Sequence, residues 1–254
     1  MLVNLQFKTN PLVVHAPGPL RHKPHWQEIR DAFFSSPALR IGTIEGLTIV
    51  TWNNGHEAMG VLEKSLDHLG VPYVVKGAGV SDWINSKHKP ALTWEALNEA
   101  KTKYVMGLDS RDAMVLGDPR LIVERFEQNF SCDMVFGADI VNWPNLPRFK
   151  SYEESLPGAQ DSAFKYLNGG MWIGTTEFCR EFFAAAMQTE AVAEAPDSEQ
   201  GILKQLFQVY YPRVQLDYRC QIFQNYWLFL RKSIRMTPNF SDEPEDPQSS
   251  TILD

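Results

Sequence analysis

A short apolar run that ends abruptly on two carboxylates constrains the fold of this chain more than any other stretch. The run is YVMGL at 104–108, and Asp109 and Asp112 follow it with only two residues between them. A run of this length is typical of a buried strand. In α/β sheets, ligands bind just beyond the carboxyl ends of the strands, where paired carboxylates can hold a hard divalent cation. Taken alone, this spacing is more typical of a solvated turn.

The composition indicates a folded protein whose main partner is not a nucleic acid. Hydrophobic residues make up 44% of the 254 positions and the net charge is -7, so no basic stripe is available to bind a phosphate polymer. The three cysteines form neither a metal-spaced motif nor a disulfide framework. We find no signal peptide and no apolar run long enough to span a membrane, and we therefore expect a soluble, cytoplasmic protein.

Strand and helix patterns alternate along most of the chain, which predicts an α/β fold with a mostly parallel central sheet and helices on both faces. The predicted strands lie at 47–51, 71–76, 104–108, 133–137 and 166–174, with a late strand or strand pair within 213–224. The predicted helices lie at 24–34, 56–69, about 93–101, 118–129, 175–188 and 197–210. The Pro-rich and aromatic segment 140–158 is typical of a substrate-facing loop.

Two acidic residues at predicted helix starts are interpreted as structural. Asp118 precedes Pro119, which is the usual pairing of an N-cap and a first-turn residue. Asp197 lies three residues before Gln200, which is a capping-box arrangement. We expect a single domain over residues 1–236, and we interpret the acidic, Pro-rich stretch 237–254 as a tail.

Five motifs, taken in order, resemble the glycosyltransferase domain of the collagen lysyl hydroxylases. LDSRD at 108–112 is similar to that family's strand ending in Asp-Ser-Tyr-Asp. YLNGGMWIG at 166–174 is similar to its Leu-Asn-Ser-Gly-Gly-Phe-Ile-Gly, and LDYRCQIFQN at 216–225 to its Leu-Asp-His-x-x-x-Ile-Phe-Gln-Asn. NWP at 142–144 and SEQ at 198–200 resemble its Cys-Trp-Pro and Asp-Asp-Gln. Order and spacing agree from about residue 47 to residue 226.

This resemblance implies a GT-A-like nucleotide-binding fold in which Asp109 and Asp112 hold Mn²⁺ (or Mg²⁺) on the diphosphate of a UDP-sugar. A metal Lewis acid neutralises the leaving diphosphate without a proton. The family's third metal ligand is a histidine in a Val-Val-His-Gly-Asn-Gly stretch at the C-terminal end of the domain. The similar stretch PLVVHAPG lies at 11–18 in this chain. We therefore interpret residues 1–34 as a permuted terminal segment whose His15 completes the metal site.

Position and chemistry, read together with this resemblance, suggest donor-binding and catalytic candidates elsewhere in the chain. The candidates for the nucleotide and its sugar are Thr51, Trp52, Lys89, Arg111, Trp143, Gly169, Gly170 and Gly18. The catalytic candidates are Glu199, as a base or a hydroxyl-orienting group, and Asn168. Three sites depart from the family pattern: Arg111 stands where the family has a tyrosine, Ser198-Glu199 replace two aspartates, and Pro17 replaces the asparagine after the metal histidine.

Each candidate also has a purely structural interpretation. Glu199 could complement a helix dipole, Asn168 could lie in a tight bend, and Trp143 could be a packing anchor. Lys89 could be a solvated lysine near a helix start, and His15 could be an ordinary core or surface histidine.

The expected activity is metal-dependent transfer of a sugar to a hydroxyl-bearing acceptor, which could be a glycan, a protein or a small molecule. Two alternatives remain open. One is a protein that binds nucleotide-sugars without transferring the sugar. The other is a metal-dependent phosphohydrolase or nucleotidyltransferase that uses the same acid pair.

Overall fold

The computed structural model describes residues 2–18, 24–56, 59–227 and 234–236, so the tail interpreted at 237–254 lies outside the described residues. The described strands are β1 (Leu2–Asn4), β2 (Val13–His15), β3 (Leu47–Trp52), β4 (Val74–Lys76), β5 (Tyr104–Asp109), β6 (Ala113–Val115), β7 (Met134–Asp139), β8 (Tyr166–Thr175), β9 (Val214–Asp217), β10 (Phe223–Asn225) and β11 (Ile234–Met236). The described helices are α1 (Pro24–Phe34), α2 (Val61–Leu69), α3 (Asn85–Glu99), α4 (Leu121–Asn129), α5 (Pro147–Ser155), α6 (Thr176–Gln188) and α7 (Glu199–Tyr210).

The central sheet has six strands in the order β4-β3-β5-β8-β7-β9. Strand β3 is parallel to β4 and β5, and β7 is parallel to β9. Only β8 runs against both of its neighbours in this sheet. The prediction of a mostly parallel, GT-A-like α/β sheet is therefore confirmed.

Helices cover both faces of this sheet, as predicted. Within β5, Met106 and Leu108 belong to a core cluster shared with α1, α2 and α4, whereas Val105 faces the cluster formed with α3, α6 and α7. Successive side chains of a strand point to opposite faces, so both sets are removed from water. This is why the strand appears in the sequence as a continuous apolar run and shows no polar alternation.

A second, three-stranded sheet brings the N-terminal segment to the end of β5. Strand β2 lies in its middle, parallel to β10 and antiparallel to β6. The register places His15 beside Asn225 on one side and beside Ala113 on the other. In a separate two-stranded sheet, β1 pairs with β11. Segments from the two ends of the described chain therefore lie together.

Several helix boundaries differ from the predictions. Helix α2 begins at Val61, five residues later than predicted, and α3 spans Asn85–Glu99. Lys89 therefore lies on a helix and not in the loop before one. The helix continues through Pro90, a residue that normally marks a helix boundary because it lacks a backbone N–H. The predicted loop at 140–158 also contains α5.

Neither predicted N-cap residue stands directly at its helix start, although Asp118 caps the turn that leads into α4. Helix α4 begins at Leu121, and Asp118 instead accepts hydrogen bonds from the backbone and guanidinium of Arg120. Helix α7 has Ser198 at its N-cap position without a side-chain cap. The amide of Gln200 does not reach back toward Asp197, because it bonds to Trp143 and Gly169. Tertiary partners replaced the local ones in this case.

Candidate functional site

A polar cavity of about 440 Å³ opens where β3 and β5 end. Trp52 pairs with Asp109 in the sheet register, so both strands terminate at the same edge. The lining residues are Trp52, Asn53, Asn54, Trp83, Asn85, Lys89, Asp109, Ser110, Arg111, Asp112 and Glu199. This wall unites many of the residues predicted for the site, although they are spread over more than half of the chain.

His15, Asp109 and Asp112 form a compact cluster next to this cavity. The Nε2 atom of His15 lies 3.2 Å from Oδ1 of Asp112 and 3.7 Å from Oδ2 of Asp109. One potential ligand atom from each residue lies within 4.8 Å of the other two. The pairing of β2 with β6 creates this proximity, and the backbone N–H of Ala16 donates to the carbonyl of Asp112. One imidazole nitrogen and two carboxylate oxygens suit a divalent cation such as Mn²⁺.

The charges in this cluster alter the protonation of its members. Burial alone would lower the pKa of His15, but the carboxylates of Asp112 and Asp109 outweigh burial and raise that pKa above its ordinary value of 6.5. Burial would likewise raise the pKa of Asp109, yet the Lys89 ammonium and His15 hold it below its ordinary value. Asp109 and Lys89 therefore stabilise each other's charged forms, and the carboxylates favour a proton on His15 when no metal is bound.

Lys89 links this cluster to the opposite wall of the cavity. Its Nζ lies 2.7 Å from Oδ1 of Asp109, donates to Glu199, and sits 5.0 Å from the centre of the Trp52 ring. Although burial would lower the pKa of this buried lysine, the two carboxylates raise it. The alternative interpretation of Lys89 as a solvated lysine is therefore wrong, and its predicted contact with the donor stays a prediction. Lys89 is instead a charged group held inside the site by two acids and an indole.

The glycines of β8 let the backbone approach the cluster of His15, Asp109 and Asp112. Pairing between β7 and β8 is interrupted at this point, because Phe136 pairs with Trp172 while Gly137 pairs with Asn168. A Cβ atom on Gly170 would lie 2.5 Å from Cε1 of His15 and 2.8 Å from Oδ2 of Asp109. No side chain fits there without displacing the cluster.

Asn168 is buried beside these glycines. Its Nδ2 donates to Oδ2 of Asp139 at 3.0 Å, and its Oδ1 accepts from the backbone N–H of Gly170 at 2.9 Å. Burial raises the pKa of Asp139. The amide of Asn168 therefore holds the glycine bend, and its predicted contact with a sugar stays a prediction.

Thr51, Gly18 and Trp143 lie outside the set of lining residues. The hydroxyl of Thr51 is fully buried and donates to the carbonyl of Leu108, so its side chain faces the neighbouring strand. Gly18 is exposed and has a left-handed conformation with φ of 80°. Trp143 is 55% exposed, and its carbonyl accepts from Gln200 at 2.6 Å, which ties its loop to the start of α7. Their contacts with a donor stay predictions.

Several lining residues were missed in the sequence. Asn53 and Asn54 directly follow β3, which is a position where ligand contacts are expected. Glu63 holds two lining residues in place, because its Oε1 accepts from Ser110 at 2.6 Å and from Asn53 at 3.0 Å. No local pattern identified Glu63, since its partners lie on two other elements.

None of the described helices is both long enough and apolar enough to cross a membrane.

Comparison with known proteins identifies one family. A search of curated proteins returned no match to this chain. The family model described as PLOD GT domain, the glycosyltransferase domain of procollagen lysyl hydroxylase, matches residues 46–236. This match includes both carboxylates of the cluster, the glycines of β8 and Glu199, and it leaves His15 outside. Because the match covers most of the sequence, the chain belongs to the PLOD GT domain family of glycosyltransferases.

Proposed function

We propose that this chain is a metal-dependent glycosyltransferase that moves a sugar from a UDP-sugar to an acceptor hydroxyl. The observation that carries this proposal is the cluster of His15, Asp109 and Asp112 beside a polar cavity, in a chain of a glycosyltransferase family. The acceptor is a hydroxyl-bearing molecule whose class is left open.

The proposed metal ligands are Nε2 of His15 and the carboxylates of Asp109 and Asp112, which would hold Mn²⁺ or Mg²⁺. When bound, such an ion supplies Lewis-acid stabilisation of the leaving diphosphate. The donor set fits this role, because its nitrogen and oxygen atoms converge within 4.8 Å and two of the three residues line the cavity.

Other side chains of the cavity have roles that follow from their charge. The Lys89 ammonium is placed to pair with diphosphate oxygens, and its contact with Trp52 keeps it oriented. Glu199 is placed to orient a hydroxyl of the sugar or the acceptor. Arg111 offers a planar guanidinium that can stack on a nucleobase or pair with phosphate. In this arrangement Lys89 contacts the diphosphate, Glu199 contacts a hydroxyl of the sugar or the acceptor, and Arg111 contacts the base or a phosphate.

We further propose that residues 1–34 stand in for the C-terminal metal-histidine segment of the family, as a circular permutation within one domain spanning 1–236. Three observations support this proposal. The family match begins at residue 46, β2 pairs with β10, and β1 pairs with β11. A strand that is covalently distant can occupy the same place when chain termini lie close together.

Calorimetric titration of UDP with and without Mn²⁺ tests both proposals. We expect binding to require the metal and to be lost in Asp112→Ala and His15→Ala, because each variant removes a proposed ligand. Asp118→Ala and His25→Ala are matched controls that lie in the exposed pairs with Arg120 and Glu28. Normal binding by His15→Ala would contradict the permutation while leaving the acid pair in place. No metal-dependent binding by the wild type would contradict the function.

A non-transferring nucleotide-sugar-binding protein is the second candidate, because Glu199 is engaged by Lys89. A screen of UDP-sugars for hydrolysis and transfer separates the two candidates. Metal-dependent UDP binding with no turnover of any donor would favour the second.

Metal binding is expected to weaken as the pH falls. The pKa of His15 is raised by the neighbouring carboxylates, so below that pKa the ion must displace a proton from the ring. We expect affinity for Mn²⁺ to fall about tenfold per pH unit in that range. The same raised pKa stabilises the metal-free protein below pH 6.5, and this stabilisation is lost as the pH rises through the folded-state value. Calorimetry in buffers of different ionisation enthalpy measures the released proton, and an absence of release would contradict this prediction.

A further inference from the structure

We propose that Asn225 is a positioning residue that selects the tautomer of His15, so that Nε2 presents its lone pair to the metal. This inference rests on the proposed function, because it assumes that His15 binds a metal. Asn225 lies on β10, far from His15 in sequence, and the parallel pairing of β2 and β10 sets the two residues side by side.

The hydrogen bonds of Asn225 determine which way its amide points. Its Nδ2 donates to the carbonyl of Ala138 at 2.8 Å. A carbonyl oxygen can only accept a hydrogen bond, so the NH₂ group must lie on that side. The Oδ1 atom therefore faces His15, with Nδ1 of the ring at 3.0 Å. Because Oδ1 can only accept, the hydrogen must be on Nδ1 of His15.

This assignment determines which ring nitrogen of His15 can bind a metal. With a hydrogen on Nδ1, the neutral ring keeps its free lone pair on Nε2. Nε2 is the atom that lies nearest to the carboxylates of Asp112 and Asp109, at 3.2 Å and 3.7 Å. The other neutral tautomer would direct an N–H bond at the metal position and would leave Oδ1 of Asn225 without its donor. The amide therefore specifies the tautomer that can bind a metal.

A buried amide network holds Asn225 in place. Its backbone carbonyl accepts from Gln224 at 2.8 Å, and Gln224 in turn accepts from Asn4 on β1 at 2.7 Å. All three side chains are at most 1% exposed, so water does not compete for these bonds. The backbone N–H of Tyr226 also donates to the carbonyl of His15 at 2.7 Å. Strands β1 and β10 are thus hydrogen-bonded to each other beside His15, whose imidazole ring Asn225 orients.

Titration of Mn²⁺ alone into purified variants tests this inference. We expect Asn225→Leu to bind Mn²⁺ about 10- to 100-fold more weakly than wild type, which is the usual effect of removing a partner that orients a metal ligand. Thr176→Val is the control, because it removes a buried side-chain hydrogen bond, to the carbonyl of Thr102, at the end of the central sheet opposite to the cluster. Asn225→Asp keeps an acceptor for Nδ1–H, and we expect it to lose less affinity than Asn225→Leu.

A second measurement needs no variant that might fail to fold. Nitrogen-resolved NMR of the Zn²⁺-loaded wild type should show the His15 proton on Nδ1, with the signal assigned by its loss in His15→Gln. A proton on Nε2 would overturn the inference. Equal losses of Mn²⁺ affinity in Asn225→Leu and Thr176→Val, or no loss in Asn225→Leu, would also overturn it. If wild type binds no metal, the proposed function fails together with this inference, whereas an unaffected Asn225→Leu contradicts the inference alone.

Discussion

Replacing Gly170 with alanine is expected to reduce affinity for Mn²⁺ at least about 100-fold, more than removal of an orienting partner would. The added Cβ would lie 2.5 Å from Cε1 of His15 and 2.8 Å from Oδ2 of Asp109, closer than side-chain carbons come to such atoms. Either the imidazole or the carboxylate must move, and the ligand atoms would then no longer converge. Overpacking of this kind also destabilises a fold by about 1–3 kcal/mol. Mn²⁺ calorimetry and urea unfolding measure the two effects.

The adjacent glycine provides the matched control for this prediction. In Gly169→Ala the new Cβ would meet the Cδ1 atom of Leu203 at 2.8 Å, at the end of a flexible side chain that can rotate away. We expect this variant to stay near wild type in metal affinity. Wild-type affinity in Gly170→Ala would show that the cluster does not bind the metal.

Removing the charge of Lys89 is expected to lower the stability of the protein substantially. In Lys89→Met, Asp109 and Glu199 lose the cation that both contact, and their carboxylates are left partly buried and facing each other across an apolar side chain. Breaking a buried ion pair on one side costs about 3 kcal/mol or more. Mn²⁺ should restore part of that stability, because it supplies Asp109 with a new counter-charge. If the proposed activity is correct, kcat should also fall about 100-fold or more.

Lys87→Met is the control, because this exposed lysine lies on the same helix two residues earlier. Urea unfolding with and without Mn²⁺ compares the two variants. Equal stability of Lys89→Met and Lys87→Met would contradict the role assigned to Lys89. If Lys89→Met loses stability and Mn²⁺ does not reduce that loss, the ion pairs of Lys89 are independent of the metal site.

Most of the central sheet was predictable because its strands, apart from the edge strand β4, are largely buried on both faces. Strands such as β3 and β5 appear as continuous apolar runs, and this signal depends little on the rest of the chain. Helix boundaries were less predictable. Helix α3 begins at Asn85 and not near residue 93, and Asp197 suggested a capping box whose Gln200 instead bonds to Trp143 and Gly169. Weak local preferences at helix ends are easily overridden by a tertiary partner.

The sequence by itself determined the groups that its local order brings together. Asp109 and Asp112 are close because they are three residues apart in one turn, and the glycines of β8 permit close approach wherever that strand lies. The position of His15 beside the acid pair was inferred from a resemblance, because no local rule relates residues 97 positions apart.

Only the tertiary structure decided how distant side chains meet. Lys89 is charged and buried because helix α3 carries it between Asp109 and Glu199, whereas its sequence context indicated solvent. Thr51 turns toward Leu108 and Asn225 turns toward His15 because strand pairing sets which face each side chain occupies. Hydrogen bonds and ion pairs depend on distance and direction in space, which a linear order of residues specifies only for near neighbours.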